Sequence, residues 1–245
     1  MLAQALQDVL QRIDNAARDA GRPVPRLLAV SKTRAADEVA ALARAMRAAG
    51  PAVAPAFGEN YVQEAAAKVP ELTQAGIEWH LVGHLQSNKA AQAASLFDWV
   101  QTVDRARLVP LLARHRPAER APLAVLVQVN IDDEASKHGC TPDGAAALAA
   151  AVAAEPRLAL RGLMAIPAPH PDATARRAAF AAMRRLFDTL RATHPSMDTL
   201  SMGMSDDLEA AVAEGATMVR IGTALFGPRA GKGAGNGTSS TGHQA

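Results

Sequence analysis

The chain has 245 residues, 49% of them hydrophobic and 20% charged, with a formal net charge of only +2 from 26 basic and 24 acidic side chains. With 3% aromatics and no run of Lys or Arg, it lacks both the basic stripe and the stacking platform of a nucleic-acid binder. Cys140 is the only cysteine, which excludes an intrachain disulfide. No signal-peptide pattern opens the chain and no apolar stretch suits a membrane span, so a cytoplasmic protein is expected.

Leu2, Leu6, Val9, Leu10 and Ile13 recur at helical spacing, so the chain opens on a helix. Short apolar runs then alternate with longer amphipathic ones. Arg26–Val30 reads as a strand before a helix over 36–48, and Val53–Gly58 contains a second strand before a helix over Tyr61–Lys68. Glu78–Gly83 precedes Lys89–Leu96, Trp99–Val103 precedes Arg105–Arg114, and Leu123–Ile131 precedes Asp143–Ala154. Leu158–Ile166 is followed by Ala173–Thr193, Thr199–Met202 by Asp206–Glu214, and Met218–Ile221 is the last strand. Strand–helix alternation implies parallel pairing with right-handed crossovers, and this many repeats fit a closed barrel better than an open sheet. The expected fold is α/β: a single-domain TIM-type (β/α)8 barrel over residues 1–228. No long helix follows the last strand, and the opening helix is expected to cover that gap.

Residues 229–245 form a Gly/Ser/Thr-rich tail with no apolar face, for which disorder is expected. Gly231, Gly233 and Gly235 imitate a nucleotide-binding pattern, but no helix follows them.

Functional groups of such barrels sit at the C-terminal ends of the strands. Here those ends carry Ser31-Lys32-Thr33, Gly58-Glu59-Asn60, Gly83-His84, Asn130, Met164, Ser201 to Ser205, and Gly222-Thr223 after Arg220. Loops after the seventh and eighth strands often cradle phosphate with backbone amides, and Ser201, Gly203, Ser205, Gly222 and Thr223 occupy those two places. The plainer reading makes Ser205 an N-cap and Gly222 a turn. Lys32 follows the buried-strand pattern Leu27-Leu28-Ala29-Val30 and would point at the mouth, where a desolvated lysine suits Schiff-base chemistry. A phosphate cradle, a mouth lysine and an arginine on the last strand suggest pyridoxal phosphate, although a sugar phosphate would use similar parts.

Several stretches then carry a family likeness. Ala29-Val30-Ser31-Lys32-Thr33, Phe57-Gly58-Glu59-Asn60-Tyr61, Trp79-His80-Leu81-Val82-Gly83-His84-Leu85-Gln86-Ser87-Asn88-Lys89, Glu134 to Gly139, Leu200 to Asp206 and Met218 to Thr223 together resemble the pyridoxal-phosphate homeostasis protein family. That family is similar to the barrel domain of alanine racemase. The resemblance spans about residues 1–228 and excludes the tail. It implies pyridoxal 5′-phosphate as the cofactor and Lys32 as its Schiff-base lysine. By the same likeness Ser201, Ser205, Gly222 and Thr223 hold the phosphate, Arg220 faces the pyridine nitrogen, and Asn60 lies near the cofactor. Ala35 stands where the family usually has proline, and the Pro51–Pro55 stretch looks longer than usual.

A guanidinium facing the pyridine nitrogen disfavours protonating it, which weakens the ring as an electron sink. Racemisation of the alanine racemase type also needs a tyrosine base from a separate domain, and the sole tyrosine, Tyr61, reads as a packing residue at a helix start. The resemblance therefore implies a reversible carrier of pyridoxal phosphate without catalytic residues. It would meet recipient apo-enzymes transiently, and a monomer is expected. The alternatives are a fold-type III amino-acid racemase and a phosphosugar aldolase or isomerase using Lys32. His80 and His84 lack the acidic pattern of a zinc protease, so no metal centre is expected. Lys137 is a secondary candidate for taking or relaying the cofactor, and Cys140 has no activating cation nearby in sequence.

Overall fold

Alternation along each strand sorts the apolar residues into two layers, one facing the helices and one filling the barrel. The computed structural model describes residues 1–132, 138–168 and 172–228. Lys137 and the tail over 229–245 lie outside the described residues. The strands are β1 (Arg26–Val30), β2 (Ala56–Glu59), β3 (Glu78–Leu81), β4 (Trp99–Val103), β5 (Leu123–Gln128), β6 (Leu158–Met164), β7 (Thr199–Ser201) and β8 (Met218–Ile221). The helices are α1 (Leu2–Ala20), α2 (Ala36–Ala48), α3 (Val62–Lys68), α4 (Ala90–Leu96), α5 (Leu108–His115), α6 (Ala145–Ala153), α7 (Ala173–Thr193), α8 (Leu208–Ala213) and α9 (Thr223–Phe226).

All neighbouring strands pair in parallel, and β1 closes the barrel on β8 with Leu28 opposite Arg220 and Ala29 opposite Ile221. Leu27, Ala29, Phe57, Trp79, Leu81, Val100 and Val125 join the cluster shared with the helices. Leu28, Ala56, Val82 and Met218 form one inner cluster, and Trp99, Ala124, Leu126 and Met164 form another. Phe57, Phe97, Phe180 and Phe187 are fully buried in the outer layer, each contributing about 1.5–3 kcal/mol of burial free energy.

Because β8 is followed only by the short α9, one side of the sheet needs another cover. Helix α1 supplies it, packing against α2, α8 and α9 with Leu6, Val9, Ile13, Ala16 and Ala17 buried. Several strands are shorter than the apolar runs suggest, with β3 ending at Leu81 and β7 at Ser201 among them. β2 starts at Ala56, after Pro51 and Pro55, which lack the amide hydrogen a ladder needs. β5 ends at Gln128, and Val129 continues only as a bridge to Cys140. β6 stops at Met164 rather than Ile166. Among the described residues, no helix is long and apolar enough to cross a membrane.

Candidate functional site

The inward phase of β1 runs through Leu28 and Val30 and, one step on, reaches Lys32 at the mouth, where it is partly buried. Lys32 sits in a tight turn closed by the Arg34 amide donating to the Ser31 carbonyl at 3.1 Å. Thr33, the next residue, has φ 64, the one positive φ outside glycine among the described residues. Such a conformation is costly for a β-branched residue and persists only where the surroundings fix it. Two contacts do so here. The Thr33 amide donates to Glu64 Oε2 at 3.2 Å, and Arg34 Nη2 donates to the Gly227 carbonyl at 2.5 Å, tying the turn to the chain beyond β8.

A buried ionic group lies behind this turn, on the helix side of the sheet. Glu59 Oε1 accepts from Ser31 Oγ at 2.6 Å and from Lys68 Nζ at 2.7 Å, and Lys68 also donates to the Ser31 carbonyl at 3.0 Å. Burial raises the Glu59 pKa, opposed by those bonds from Lys68 and Ser31. Its Oε2 is buried without a hydrogen-bond partner. Sequence reasoning placed Glu59 at a strand end but missed Lys68, because a lysine closing a short amphipathic helix looks solvated. It is 8% exposed.

Inside the barrel, polar side chains form a continuous thread. Arg220 Nη1 donates to Ser201 Oγ at 2.9 Å, and Ser201 Oγ donates to Gln101 Oε1 at 2.7 Å. Gln101 Nε2 lies 2.9 Å from His80 Nδ1, and His80 Nε2 lies 2.8 Å from Glu78 Oε1. Arg26 Nη2 donates to that same carboxylate oxygen at 2.7 Å, at the opposite end of the barrel. Burial lowers the His80 pKa, which keeps the ring neutral. Arg220 also donates to the Ala165 carbonyl at 2.9 Å. It is 4% exposed, and burial pushes its pKa down to about 10, so it remains a cation at neutral pH.

The residues expected to hold the phosphate differ in how they are already engaged. Ser201 is fully buried, and its hydroxyl is engaged with Arg220 and Gln101 rather than presented at the rim. Ser205 is partly buried and its carbonyl accepts from Arg12 at 2.7 Å. It is not the N-cap of α8: the cap is Asp207, whose Oδ1 accepts from the Met204 amide at 2.6 Å. Gly222 lies against β1, where a Cβ would sit 3.3 Å from the Val30 carbonyl. Thr223 is exposed and opens α9, whose first turn leaves amides that the helix itself cannot use.

Asn60 follows β2 and lines a mouth cavity of about 370 Å³ with Tyr61, Gly83, His84, Lys89 and His138. Gly83 allows this approach, because a Cβ there would meet the Asn60 carbonyl at 2.0 Å. The expectation that Tyr61 packs is corrected: it is 59% exposed on this rim, since α3 buries Val62 and Ala65 instead. His80 and His84 do not converge. His80 enters the barrel, whereas His84 stays outside, stacked on His138 with ring centroids 3.7 Å apart. Burial pushes the Cys140 thiol up to about 11, so it is not an activated nucleophile.

Lys32, Arg220, Gly222, Thr223, Ser205 and Asn60 thus fall on one arc, because β7, β8, β1 and β2 are consecutive in the barrel. Arg220 carries the test of fit for pyridoxal phosphate. A buried cation normally demands an anion, yet its hydrogen-bond partners are a hydroxyl and a carbonyl, and among the described residues the Asp207 carboxylate reaches it only through its charge. That leaves a donor-only group beside the strand carrying the mouth lysine, a set suited to a ligand with an aldehyde, a ring acceptor and a phosphate.

Comparison with known proteins gives a consistent result. The family described as alanine racemase, N-terminal domain, matches residues 4–230. The pyridoxal phosphate homeostasis protein of Pseudomonas aeruginosa is 50% identical over 230 residues, covering 93% of this chain and 96% of that one. The structure of PipY from Synechococcus elongatus with PLP bound is 35% identical with a TM-score of 0.74, covering 93% of this chain and 100% of that one. An alanine racemase of Clostridium difficile, at 14% identity and TM-score 0.68, shares the fold, covering 89% of this chain and 56% of its own.

Proposed function

Since the chain belongs to the alanine racemase N-terminal domain family and, within it, to the pyridoxal phosphate homeostasis proteins, we propose that it binds pyridoxal 5′-phosphate on the β7–β8–β1–β2 rim and holds it reversibly, for storage and delivery. The observation that carries this reading is the buried Arg220, hydrogen-bonded to neutral acceptors and adjacent to the strand that leads into Lys32. When bound, the group supplies an aldehyde that condenses reversibly with a primary amine.

Lys32 is the amine, placed by the strained turn at Thr33. Ser205, Gly222 and Thr223 bind the phosphate, Ser201 holds Arg220, and Asn60 flanks the ring. Arg220 offers only N–H donors, so it presents the ring nitrogen with a hydrogen bond and no proton to take. Such a ring stabilises carbanions poorly, which favours a tether over turnover. Delivery then needs only transient contact between a monomer and the apo-enzymes that receive the cofactor.

Transfer tests the reading directly. Protein loaded with pyridoxal phosphate is expected to restore activity to the apo form of a dependent enzyme while exchanging no α-hydrogen of free amino acids. Deuterium exchange at the α-carbon at enzymatic rates would favour the racemase alternative instead.

A further inference from the structure

Three loops at the barrel mouth bring together side chains that the cofactor reading does not use. His84 follows β3, Asp104 follows β4 and His138 lies beyond β5. One donor atom from each lies within 4.8 Å of the others. We propose that His84, Asp104 and His138 form a binding site for a divalent transition-metal ion of the zinc or cobalt class. This proposal stands independently of pyridoxal phosphate binding.

Donor chemistry comes first. Two imidazoles and one carboxylate suit a borderline metal, and three protein ligands leave coordination positions open toward the cavity. Metal–ligand bonds of about 2.0–2.2 Å place neighbouring donors roughly 3–3.5 Å apart. His84 Nδ1 and Asp104 Oδ2 already lie 3.4 Å apart. The His138 ring stacks on His84 with an interplanar angle of 16°. Its side chain is exposed, and one of its ring nitrogens already lies within 4.8 Å of the other two donor atoms.

The backbones beneath these ligands are fixed. Asp104 divides its carboxylate: Oδ1 accepts from Arg105 Nη1 at 2.5 Å, leaving Oδ2 toward His84. Arg105 also donates to the Leu85 carbonyl at 2.8 Å, which ties the aspartate to the loop of the first histidine. Outer partners of this kind orient metal ligands. The Gly83 carbonyl accepts from Thr102 Oγ1 at 2.9 Å, and the His138 carbonyl accepts from Gln128 Nε2 at 3.1 Å. Gly139, at φ 130, then lets the chain press onto Asn130, whose amide a Cβ would meet at 2.5 Å. The sequence concealed the site because its outermost ligands, His84 and His138, lie 54 residues apart and only the barrel brings them together.

The test is titration of the full-length protein with Co²⁺, read by its visible d–d absorption, followed by competition with Zn²⁺. One tight equivalent is expected. His84→Ala, His138→Ala and Asp104→Asn should each weaken it at least about 10-fold, a loss comparable to those seen for supporting residues alone. His115→Ala, on the exposed end of α5, should leave it unchanged, with circular dichroism confirming that every variant folds. Binding that survives His84→Ala at full affinity would overturn the proposal. So would a wild-type protein that binds Co²⁺ no better than the His84→Ala/His138→Ala double variant.

Discussion

Arg220 Nη1 donates to Ser201 Oγ at 2.9 Å in the barrel interior, and this bond sets the direction of every bond behind it. A guanidinium can only donate, so the serine oxygen accepts and its own proton must go to Gln101 Oε1. Gln101 therefore turns its amide nitrogen to His80 Nδ1, and the neutral imidazole donates from Nε2 to Glu78. The mouth cation is thus connected by oriented hydrogen bonds to the carboxylate that Arg26 pairs at the other end.

Ser201→Ala should lower stability by about 1.5–3 kcal/mol, the range for a hydrogen bond to a charged group. The loss arises because one Arg220 donor and Gln101 Oε1 both lose a partner. Urea unfolding with an unchanged slope would register it, and affinity for pyridoxal phosphate should fall in the same variant.

The buried pair behind the lysine turn should respond asymmetrically. Lys68→Met leaves the Glu59 carboxylate, fully buried, without its cation and should cost about 3–5 kcal/mol. Adding Glu59→Gln should recover part of that loss. A double-mutant cycle by chemical denaturation measures the recovery, and strict additivity of the two losses would contradict the pairing.

His80 should make stability depend on pH in one direction. Its folded-state pKa lies below the unfolded value of about 6.5. The unfolded chain therefore binds more protons, so stability is intact above about pH 6.5 and declines as pH falls from there toward the folded pKa. His84, also lowered by burial and by the nearby His138, adds to the decline. Burial raises the Glu78 pKa, but the hydrogen bond from His80 and the charge and hydrogen bond of Arg26 bring it to about 2, so its own loss falls between about 4.5 and 2. The midpoint of urea unfolding from pH 8 to pH 5 should drop, and His80→Gln should flatten most of that slope.

Much of the barrel could be read from the chain because strand–helix alternation and inward–outward phasing are local properties. Lys32 and Arg220 were visible for the same reason, since each lies in phase with inner residues of its own strand. Ser201 was legible as a strand position, but the partners of its hydroxyl were not, because they come from β4 and β8 as Gln101 and Arg220. Lys68 and Asp104 were missed because burial and ion pairing are set by the packing of distant segments. The exposed Tyr61 shows the converse, as a helix start cannot reveal which of its first residues turns inward.

The central claim is that Lys32 holds pyridoxal phosphate as a reversible tether. The most direct measurement is an absorbance titration of the protein with pyridoxal phosphate, repeated on Lys32→Ala. A visible band should form in the parent protein, reverse on adding a competing amine, and be absent from the variant, which should still fold. An unchanged band in Lys32→Ala would contradict the account and transfer the tether to another lysine.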